Sequence, residues 1–249
     1  MGNIVDEQGY NQIFAPGPAQ ALRLRRRAQA IINALPANPD PRHLLELGCG
    51  MGEMARQLAE QTEARVTGVD ISEKFIAHAR AEHRRPNLDF MLADLTRQVP
   101  AVGEDRYDAI TGNGILHHLY HHLDTVLPAL RRWLKPGGRL IFWEPNLWNP
   151  YVWLIFSFAP LRRQARLEPD EMAFTPRFIR HRLAAAGYVN IRVTTRDFLL
   201  PNTPASLVRP VVATSDLLDR IPLVNRLAQS LFLVAEKGPA DSPDNPDRT

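Results

Sequence analysis

Short apolar runs alternate with longer segments of helical periodicity between residues 18 and 145. The runs favour buried strands because they are only about five residues long, and the segments between them have room for helices. A Pro-Gly-Gly turn at residues 136–138 is expected to launch the fifth strand. Strands are predicted at residues 43–47, 65–69, 88–92, 107–111, 139–143, 188–193 and 231–235, and helices at residues 18–35, 51–61, 72–84, 120–134 and 176–186.

The alternation of strands and helices indicates βαβ units, in which parallel strands are joined by crossover helices. The sequence therefore predicts an α/β fold with a doubly wound, mostly parallel sheet and helices on both faces. In such sheets the ligand lies beyond the carboxyl ends of the strands, close to the point where the strand order reverses. Candidate site residues are therefore sought directly after the predicted strands.

Beyond residue 145 the regular alternation ends. Residues 147–158 are rich in tryptophan, tyrosine and phenylalanine, and several prolines interrupt residues 199–222. We predict one domain over residues 1–237, made of an N-terminal helix (18–35), a cofactor-binding core (40–145) and a substrate cover that includes the last strands (146–230). Residues 238–249 contain several Pro and Asp residues and no large apolar side chain, so a disordered tail is predicted there.

The chain has 249 residues, 45% of them hydrophobic, and a formal net charge of only +3. The basic residues are almost all arginines, spread along the chain and offset by acids, so nucleic acid is not expected as a partner. The single cysteine, Cys49, excludes an intrachain disulfide. Neither a signal-peptide pattern nor an apolar stretch of about 18 residues is present, so a cytoplasmic location is expected.

Three glycines follow the first predicted strand at alternating positions, Gly48, Gly50 and Gly52, with the small Cys49 between the first two. Such a strand, turn and helix start lets a nucleotide-like ligand sit against bare backbone, because glycine has no Cβ. The dinucleotide pattern G-x-G-x-x-G would need another glycine where Glu53 stands. The carboxylate of Glu46, just before the turn, suits a ligand with a cationic end better than a pyrophosphate.

The segment from Glu46 to Gly52 resembles the first motif, E-x-G-x-G-x-G, of the class I S-adenosylmethionine-dependent methyltransferases. The resemblance covers roughly residues 40–145. It implies a Rossmann-like seven-stranded sheet with an antiparallel C-terminal strand, S-adenosylmethionine as cofactor and S-adenosylhomocysteine as product. Asp70 ends the second predicted strand twenty residues after Gly50. An acid at this offset can accept hydrogen bonds from the ribose hydroxyls.

The same resemblance implies roles for residues after the next strands. Ile71 would pack on the adenine ring, and Asp94 would meet the adenine amino group while the neighbouring backbone amide at Leu95 reads the ring edge. The backbone of Asn113 and Gly114 would border the methionine part of the cofactor. An arginine of the predicted helix 18–35 either faces solvent with its neighbours or reaches a ligand carboxylate.

Two pairs of histidines follow the fourth predicted strand, His117-His118 and His121-His122. Their i,i+4 spacing would suit a metal on one helix face, but no acid or cysteine shares that spacing, so no metal site is predicted. They are otherwise solvated imidazoles or a general base. Histidine can take a proton from a hydroxyl acceptor at neutral pH. We expect His118 first and His117 second as the base, with Glu144 assisting.

The acceptor is expected to be a small apolar, aromatic or lipid-like molecule, methylated at oxygen. Nitrogen or carbon of a quinone, lipid or natural-product intermediate is the alternative. Residues 147–158 are interpreted as core, oligomer contact, substrate lid or membrane-touching helix. Because Arg162, Arg163 and Arg166 follow them, residues 147–166 are a candidate peripheral membrane contact. The protein is expected to be a monomer or a homodimer. A non-catalytic binding module and an NAD-dependent reductase are the competing classes, although the reductase reading lacks a Tyr-x-x-x-Lys pair.

Overall fold

Seven strands form one sheet in the computed structural model, which describes residues 17–37, 42–94, 104–200, 203–219 and 221–238. Leu95 and nearly all of the predicted tail lie outside the described residues. The strands are β1 (His43–Leu47), β2 (Arg65–Asp70), β3 (Leu88–Leu92), β4 (Tyr107–Asn113), β5 (Leu134–Pro145), β6 (Tyr188–Arg196) and β7 (Ser230–Lys237). The helices are α1 (Pro18–Asn33), α2 (Glu53–Gln61), α3 (Glu73–Glu82), α4 (Leu123–Trp133), α5 (Pro150–Ser157), α6 (Ala159–Gln164), α7 (Pro176–Ala185) and α8 (Ala205–Leu218), with 3₁₀ turns at Tyr120–His122 and Asn225–Leu227.

The strand order is β3-β2-β1-β4-β5-β7-β6. The pairs among β1 to β5 are parallel, whereas β7 runs antiparallel to both β5 and β6. The order reverses between β1 and β4, where Leu47 lies beside Gly112. The predicted α/β fold, with its antiparallel C-terminal strand, is thus confirmed.

Side chains that alternate along each strand feed two separate hydrophobic clusters, because successive residues of a strand point to opposite faces. In β1, Leu45 and Leu47 belong to the cluster that α4 and α7 cover. Leu44 belongs to the cluster that α1, α2 and α3 cover. Helices therefore cover both faces of the sheet, as predicted.

The fifth strand begins earlier than the sequence indicates. It runs from Leu134 rather than residue 139, and the expected Pro-Gly-Gly turn is an irregularity inside it. Tyr107 pairs with Leu134, while Ala109 pairs with Arg139, so β5 has extra residues opposite β4. Gly137 takes a φ of +73°, a conformation that glycine adopts without steric cost, and this lets the strand continue past the bulge.

Three helices after residue 145 were not predicted from periodicity. Helix α5 starts where the Asn149 side chain accepts a hydrogen bond from the Val152 N–H, and Pro150 takes the first helical position. Helix α5 packs through Val152 and Phe156 against Ala173 in one small cluster, whereas α8 packs through Val208 against α1. The two parts of the expected cover thus belong to different clusters. Within the described ranges, no helix combines the length and apolar composition that crossing a bilayer would need.

Candidate active site

The residues singled out in the sequence meet at one edge of the sheet, because the carboxyl ends of parallel strands lie together. The glycine turn follows β1, Asp70 ends β2 and Asp94 follows β3. Asn113 ends β4, and Glu144 is the penultimate residue of β5. The edge includes the reversal point between β1 and β4, where a cofactor is expected.

The three glycines of the turn serve different purposes. All three have positive φ, at +60° for Gly48, +53° for Gly50 and +89° for Gly52. A Cβ on Gly48 would lie 2.7 Å from the Ile115 side chain, and one on Gly52 would lie 2.7 Å from the Phe90 ring. A Cβ on Gly50 would meet nothing within 4 Å. Packing therefore requires the outer glycines, and Gly50 presents its backbone to open space.

Asp70 holds the turn in place. Its Oδ2 accepts a hydrogen bond of 2.8 Å from the Gly50 N–H, and its Oδ1 accepts one of 2.9 Å from the Ser72 N–H. Ser72 itself caps α3, since its Oγ accepts a hydrogen bond from the Phe75 N–H. The carboxylate is therefore not needed as a helix cap and stays beside Gly50, where a ribose is expected.

Glu46 is a buried carboxylate that lacks a full set of partners. It is 1% exposed, and within the described part of the chain its Oε2 has no hydrogen-bond partner. Burial, together with the negative charges of Glu53 and Asp70, raises the pKa of Glu46 well above its usual value. A cationic group close by would favour the ionised form, so the site fits a ligand that carries an ammonium or a sulfonium.

The remaining residues expected around the cofactor differ in exposure. Ile71 is 59% exposed directly after Asp70, which is unusual for a large apolar side chain and fits a surface that a flat ring covers. Cys49 is buried, and burial raises the pKa of its thiol, so it fills space in the turn. Asp94 is partly exposed at the end of a described range.

The arginines of α1 fall into two groups. Arg25 and Arg26 are exposed, as a solvated face would be, whereas Arg23 and Arg27 point inward and bind side chains of the protein itself. Arg27 is buried and donates a hydrogen bond of 2.6 Å to the Asn113 Oδ1. Arg27 and Arg23 also bind Asp197, at 2.9 and 2.7 Å. Burial and the nearby Arg23 lower the pKa of Arg27 to about 10, which leaves it charged at neutral pH. Arg27 thus fixes the Asn113 side chain, and Asp197 holds both arginines. The i,i+4 spacing of Arg23 and Arg27, which places them on one helix face, was the available sequence signal.

Glu144 organises the turn after β4. Its carboxylate accepts backbone hydrogen bonds from Ile115 at 3.1 Å, from Leu116 at 2.8 Å and from His117 at 3.2 Å. The Nδ1 of His117 lies 2.9 Å from the Glu144 Oε2. The structure therefore places Glu144 against His117, and a different acid stands next to His118.

That acid is Glu171, which sequence reasoning missed. The His118 Nδ1 lies 3.0 Å from the Glu171 Oε1, and the rings of His117 and His118 are 4.2 Å apart. Burial disfavours the charged form of His118, but the hydrogen bond and charge of Glu171 outweigh burial and raise its pKa. The same contact outweighs burial at Glu171 and lowers the pKa of that carboxyl. No short-range pattern links residues so far apart in sequence.

The helix predicted over residues 120–134 corresponds to a 3₁₀ turn and α4, and it does not include His117 and His118. Residues 117–119 form a turn, a 3₁₀ turn follows, and α4 begins only at Leu123. His121 and His122 are exposed, as solvated imidazoles would be. Ligand atoms of His117, His118 and Glu171 lie within 4.8 Å of one another, so these three residues could hold a metal ion. Hydrogen bonds from the two imidazoles to two carboxylates account for the same arrangement.

We therefore predict that exhaustive dialysis against EDTA leaves the turnover number unchanged. Each imidazole has a carboxylate at its Nδ1, and an imidazole held in this way can act as a base without a metal ion. The measurement compares turnover before dialysis, after it, and after addition of Zn²⁺ or Mg²⁺. A loss of turnover that either ion restores would assign the triad to a metal instead.

Comparison with known proteins shows which proteins this chain resembles in sequence and in fold. Residues 44–138 match a family model described as a methyltransferase domain. A trans-aconitate 2-methyltransferase of Streptomyces avermitilis is 34% identical over 187 residues, which are 68% of this chain and 68% of that enzyme. A trans-aconitate 2-methyltransferase of Delftia acidovorans is 36% identical over 133 residues, 52% of this chain and 48% of that enzyme, so the chain spans about half the length of that relative.

A solved structure adds the fold. Phosphoethanolamine N-methyltransferase 2 of Haemonchus contortus, in complex with S-adenosyl-L-methionine, superposes with a TM-score of 0.62 at 15% identity. The superposition covers 86% of this chain and 52% of that chain. At this identity the likeness shows a shared architecture and leaves the acceptor open.

Proposed function

Because the chain belongs to the class I S-adenosylmethionine-dependent methyltransferases, we propose that it methylates a hydroxyl oxygen of a small, uncharged acceptor of apolar or aromatic character. The observation that carries the proposal is the pair of imidazoles at the carboxyl edge of the sheet. Each imidazole has its own buried carboxylate at hydrogen-bond distance. Such a pair can take up a proton, which a hydroxyl must lose when it becomes an ether.

The cofactor-binding half of the edge fits S-adenosylmethionine through its own residues. Among the described residues the Glu46 Oε2 has no hydrogen-bond partner and could face a cationic group of the cofactor. The space beside Gly50 is open to the cofactor, and the Asp70 carboxylate, which holds the Gly50 N–H, could accept hydrogen bonds from the ribose. When bound, the cofactor supplies a methyl group on a positively charged sulfur. The protein contributes by position, since methyl transfer requires the acceptor oxygen to be aligned with that methyl group.

The two histidines can act as bases because a neighbouring carboxylate selects the tautomer of each imidazole. A carboxylate that accepts the Nδ1 proton of an imidazole keeps Nε2 available to take a proton from the acceptor. Glu171 would hold His118 in this state, and Glu144 would do the same for His117. The fixed turn at residues 115–117 then keeps the imidazoles at a constant distance from the cofactor edge.

The charges around the histidines favour a hydroxyl over a carboxylate acceptor. A carboxylate is already ionised at neutral pH, so it needs cations to bind it and no base. Here two acids, Glu144 and Glu171, border the imidazoles. The nearby Arg162 guanidinium donates to backbone carbonyls, among them those of Phe156 at 3.0 Å and Glu171 at 3.1 Å. The site therefore differs from what an acceptor with several carboxylates, such as trans-aconitate, would require.

The test compares trans-aconitate with phenols, hydroquinones and long-chain alcohols as acceptors, with product detection by mass spectrometry. We expect methylated products only from the hydroxyl compounds, and we expect them to survive mild alkali because ethers, unlike methyl esters, resist it. Fragmentation of the product distinguishes methyl on oxygen from methyl on carbon or nitrogen. Turnover of trans-aconitate alone, giving an alkali-labile ester, would contradict the proposal.

The change Glu171→Gln is expected to move the acidic limb of the kcat/KM profile to lower pH. A base works only when unprotonated, so activity rises as the pH passes through the pKa of His118. Glu171 raises that pKa, and a neutral amide would let it fall. The matched control is Glu168→Gln, an exposed acid that acts on His118 only through its charge, and its limb should move much less. Superimposable profiles for E171Q and the wild type would remove His118 as the base.

A further inference from the structure

Helix α5 is apolar around its whole circumference, with the sequence Pro-Tyr-Val-Trp-Leu-Ile-Phe-Ser. The protein covers only one side of it, through Val152 and Phe156. On the other side Tyr151 is 53%, Trp153 48% and Leu154 40% exposed. A helix that is hydrophobic all round is normally enclosed, so the outer half of α5 lacks a partner within the described chain.

The exposed apolar surface extends past both ends of the helix. Trp148 precedes α5 and Phe158 follows it, and both are exposed. Leu227, also exposed, lies beside the start of α5, because the Asn149 side chain donates a 2.6 Å hydrogen bond to its carbonyl. We call this surface the aromatic face, and it consists of Trp148, Tyr151, Trp153, Leu154, Phe158 and Leu227. Contiguous apolar patches of this kind mark interaction sites.

The charges around the aromatic face are positive. Residues 145–167 contain three arginines and neither Asp nor Glu, and the first acids come only at Glu168 and Asp170. Arg163 and Arg166 are exposed beyond one end of α5. Arg226 is exposed beyond the other end, next to Leu227. Arginines that flank exposed tryptophan and tyrosine complement a surface with an apolar interior and anionic headgroups.

The inner side of the same helix borders the candidate base. The Phe156 ring meets the His117 ring edge to face, with centroids 6.2 Å apart. A short helix thus has the imidazole pair on one side and the aromatic face on the other. With only 8 residues it is far too short to cross a bilayer and would lie in the interface plane.

We propose that the aromatic face docks on the surface of an anionic lipid bilayer, with α5 lying at the boundary between headgroups and acyl chains. Resting on the proposed function, the acceptor is then an apolar hydroxyl compound dissolved in that bilayer, which reaches the histidines past α5. A protein partner would also bury aromatic residues. The arginines that flank the face, three of them in a stretch of residues 145–167 that holds no acid, favour the lipid surface.

The tryptophans allow a direct test, because two of the four are exposed in the aromatic face, while Trp133 and Trp143 are buried. The full chain is mixed with vesicles made of phosphatidylcholine alone or of phosphatidylcholine and phosphatidylglycerol together. The fluorescence emission of Trp148 and Trp153 is followed, and bound protein is measured by co-sedimentation. We expect a blue shift, quenching by brominated acyl chains and binding that needs the anionic lipid and weakens with salt. Absence of binding to both vesicle types would overturn the proposal.

The double change Trp153→Ser/Leu154→Ser is expected to weaken partitioning into anionic vesicles by about tenfold or more, since both side chains would leave the acyl boundary. The matched control is Val189→Ser, an exposed apolar residue at the start of β6, on the opposite edge of the sheet. Its partitioning should equal that of the wild type. Equal partitioning of the double variant would overturn the docking surface.

The two proposals fail separately. S-adenosylhomocysteine affinity, measured by calorimetry, should be the same in the double variant and the wild type, which shows that the fold is intact. Vesicle binding without methylation of any hydroxyl acceptor would contradict the proposed function only. Methylation of a soluble phenol by a protein that binds no vesicle would contradict the docking surface only.

Discussion

Replacing both His117 and His118 with alanine is expected to lower kcat by about 10²- to 10⁴-fold, the usual contribution of a positioned acid or base. The affinity for S-adenosylhomocysteine should stay the same. The two imidazoles are 4.2 Å apart, and each is paired with a buried carboxylate, so a single change leaves a neighbouring base that can partly substitute. Removing both leaves the acceptor hydroxyl without a group to take its proton.

The chain offers a matched control for this change in His121 and His122. They belong to the same segment but are exposed, so His121→Ala/His122→Ala should keep the turnover of the wild type. Alanine at 117 and 118 also leaves Glu144 and Glu171 without the imidazoles that they contact, which can destabilise the fold. His117→Asn/His118→Asn separates the two effects, because asparagine can still donate a hydrogen bond to a carboxylate but cannot act as a base. Full turnover in the double alanine variant would exclude the histidine mechanism.

The change Gly50→Ala is expected to weaken binding of S-adenosylhomocysteine by about tenfold or more, since a methyl group would enter the space next to the exposed turn. The fold itself should accept the methyl group, because nothing lies within 4 Å of the added Cβ. The remaining cost is the positive φ of +53°, worth about 1–2 kcal/mol for a residue other than glycine. Calorimetry gives the affinity, and denaturant unfolding gives the stability.

Gly137→Ala is the control for that prediction. Gly137 has a φ of +73°, also with no atom within 4 Å of an added Cβ, but it lies in the bulge near the start of β5, away from the carboxyl edge. Both variants should therefore lose similar stability, and only Gly50→Ala should lose affinity. Equal affinities in the two variants would show that the cofactor does not approach the turn at Gly50.

The parts of this molecule that the sequence predicts are those whose signals are local. The run from Glu46 to Gly52 holds a strand, a turn and a helix start within a few residues, and the parallel topology then brings Asp70 and Asn113 to the same edge. The i,i+4 spacing of the histidines does not correspond to one helix face, because the chain turns at residues 117–119 before α4 begins. Glu144, placed in β5, orders that turn through three backbone hydrogen bonds.

The sequence does not predict contacts between residues that lie far apart along the chain, nor helices whose apolar residues show no helical periodicity. Glu171 reaches His118 only because the chain returns after α6, and Asp197 meets Arg27 across the sheet edge. Helix α5 shows no helical periodicity because its apolar residues lie on both of its sides. Helix α8 was not predicted because it contains a proline, which normally indicates a helix end. The sequence predicts a turn where β5 has a bulge, because Pro-Gly-Gly is typical of turns and of bulges.

Two acids therefore act on two imidazoles from different parts of the chain. Glu144 comes from the sheet and is tied to the backbone, so it fixes where His117 stands. Glu171 comes from the segment after α6 and shifts the pKa of His118. The match to the methyltransferase-domain model ends at residue 138, so it includes both histidines but neither of the acids that contact them.

Titration of the purified chain with S-adenosylhomocysteine in a calorimeter, beside a titration with NAD(H), tests the central claim most directly. A cationic-ligand site built from Glu46, Gly50 and Asp70 predicts saturable binding of one S-adenosylhomocysteine per chain and no binding of NAD(H). Binding of NAD(H), or a protein that does not bind S-adenosylhomocysteine at all, would contradict it.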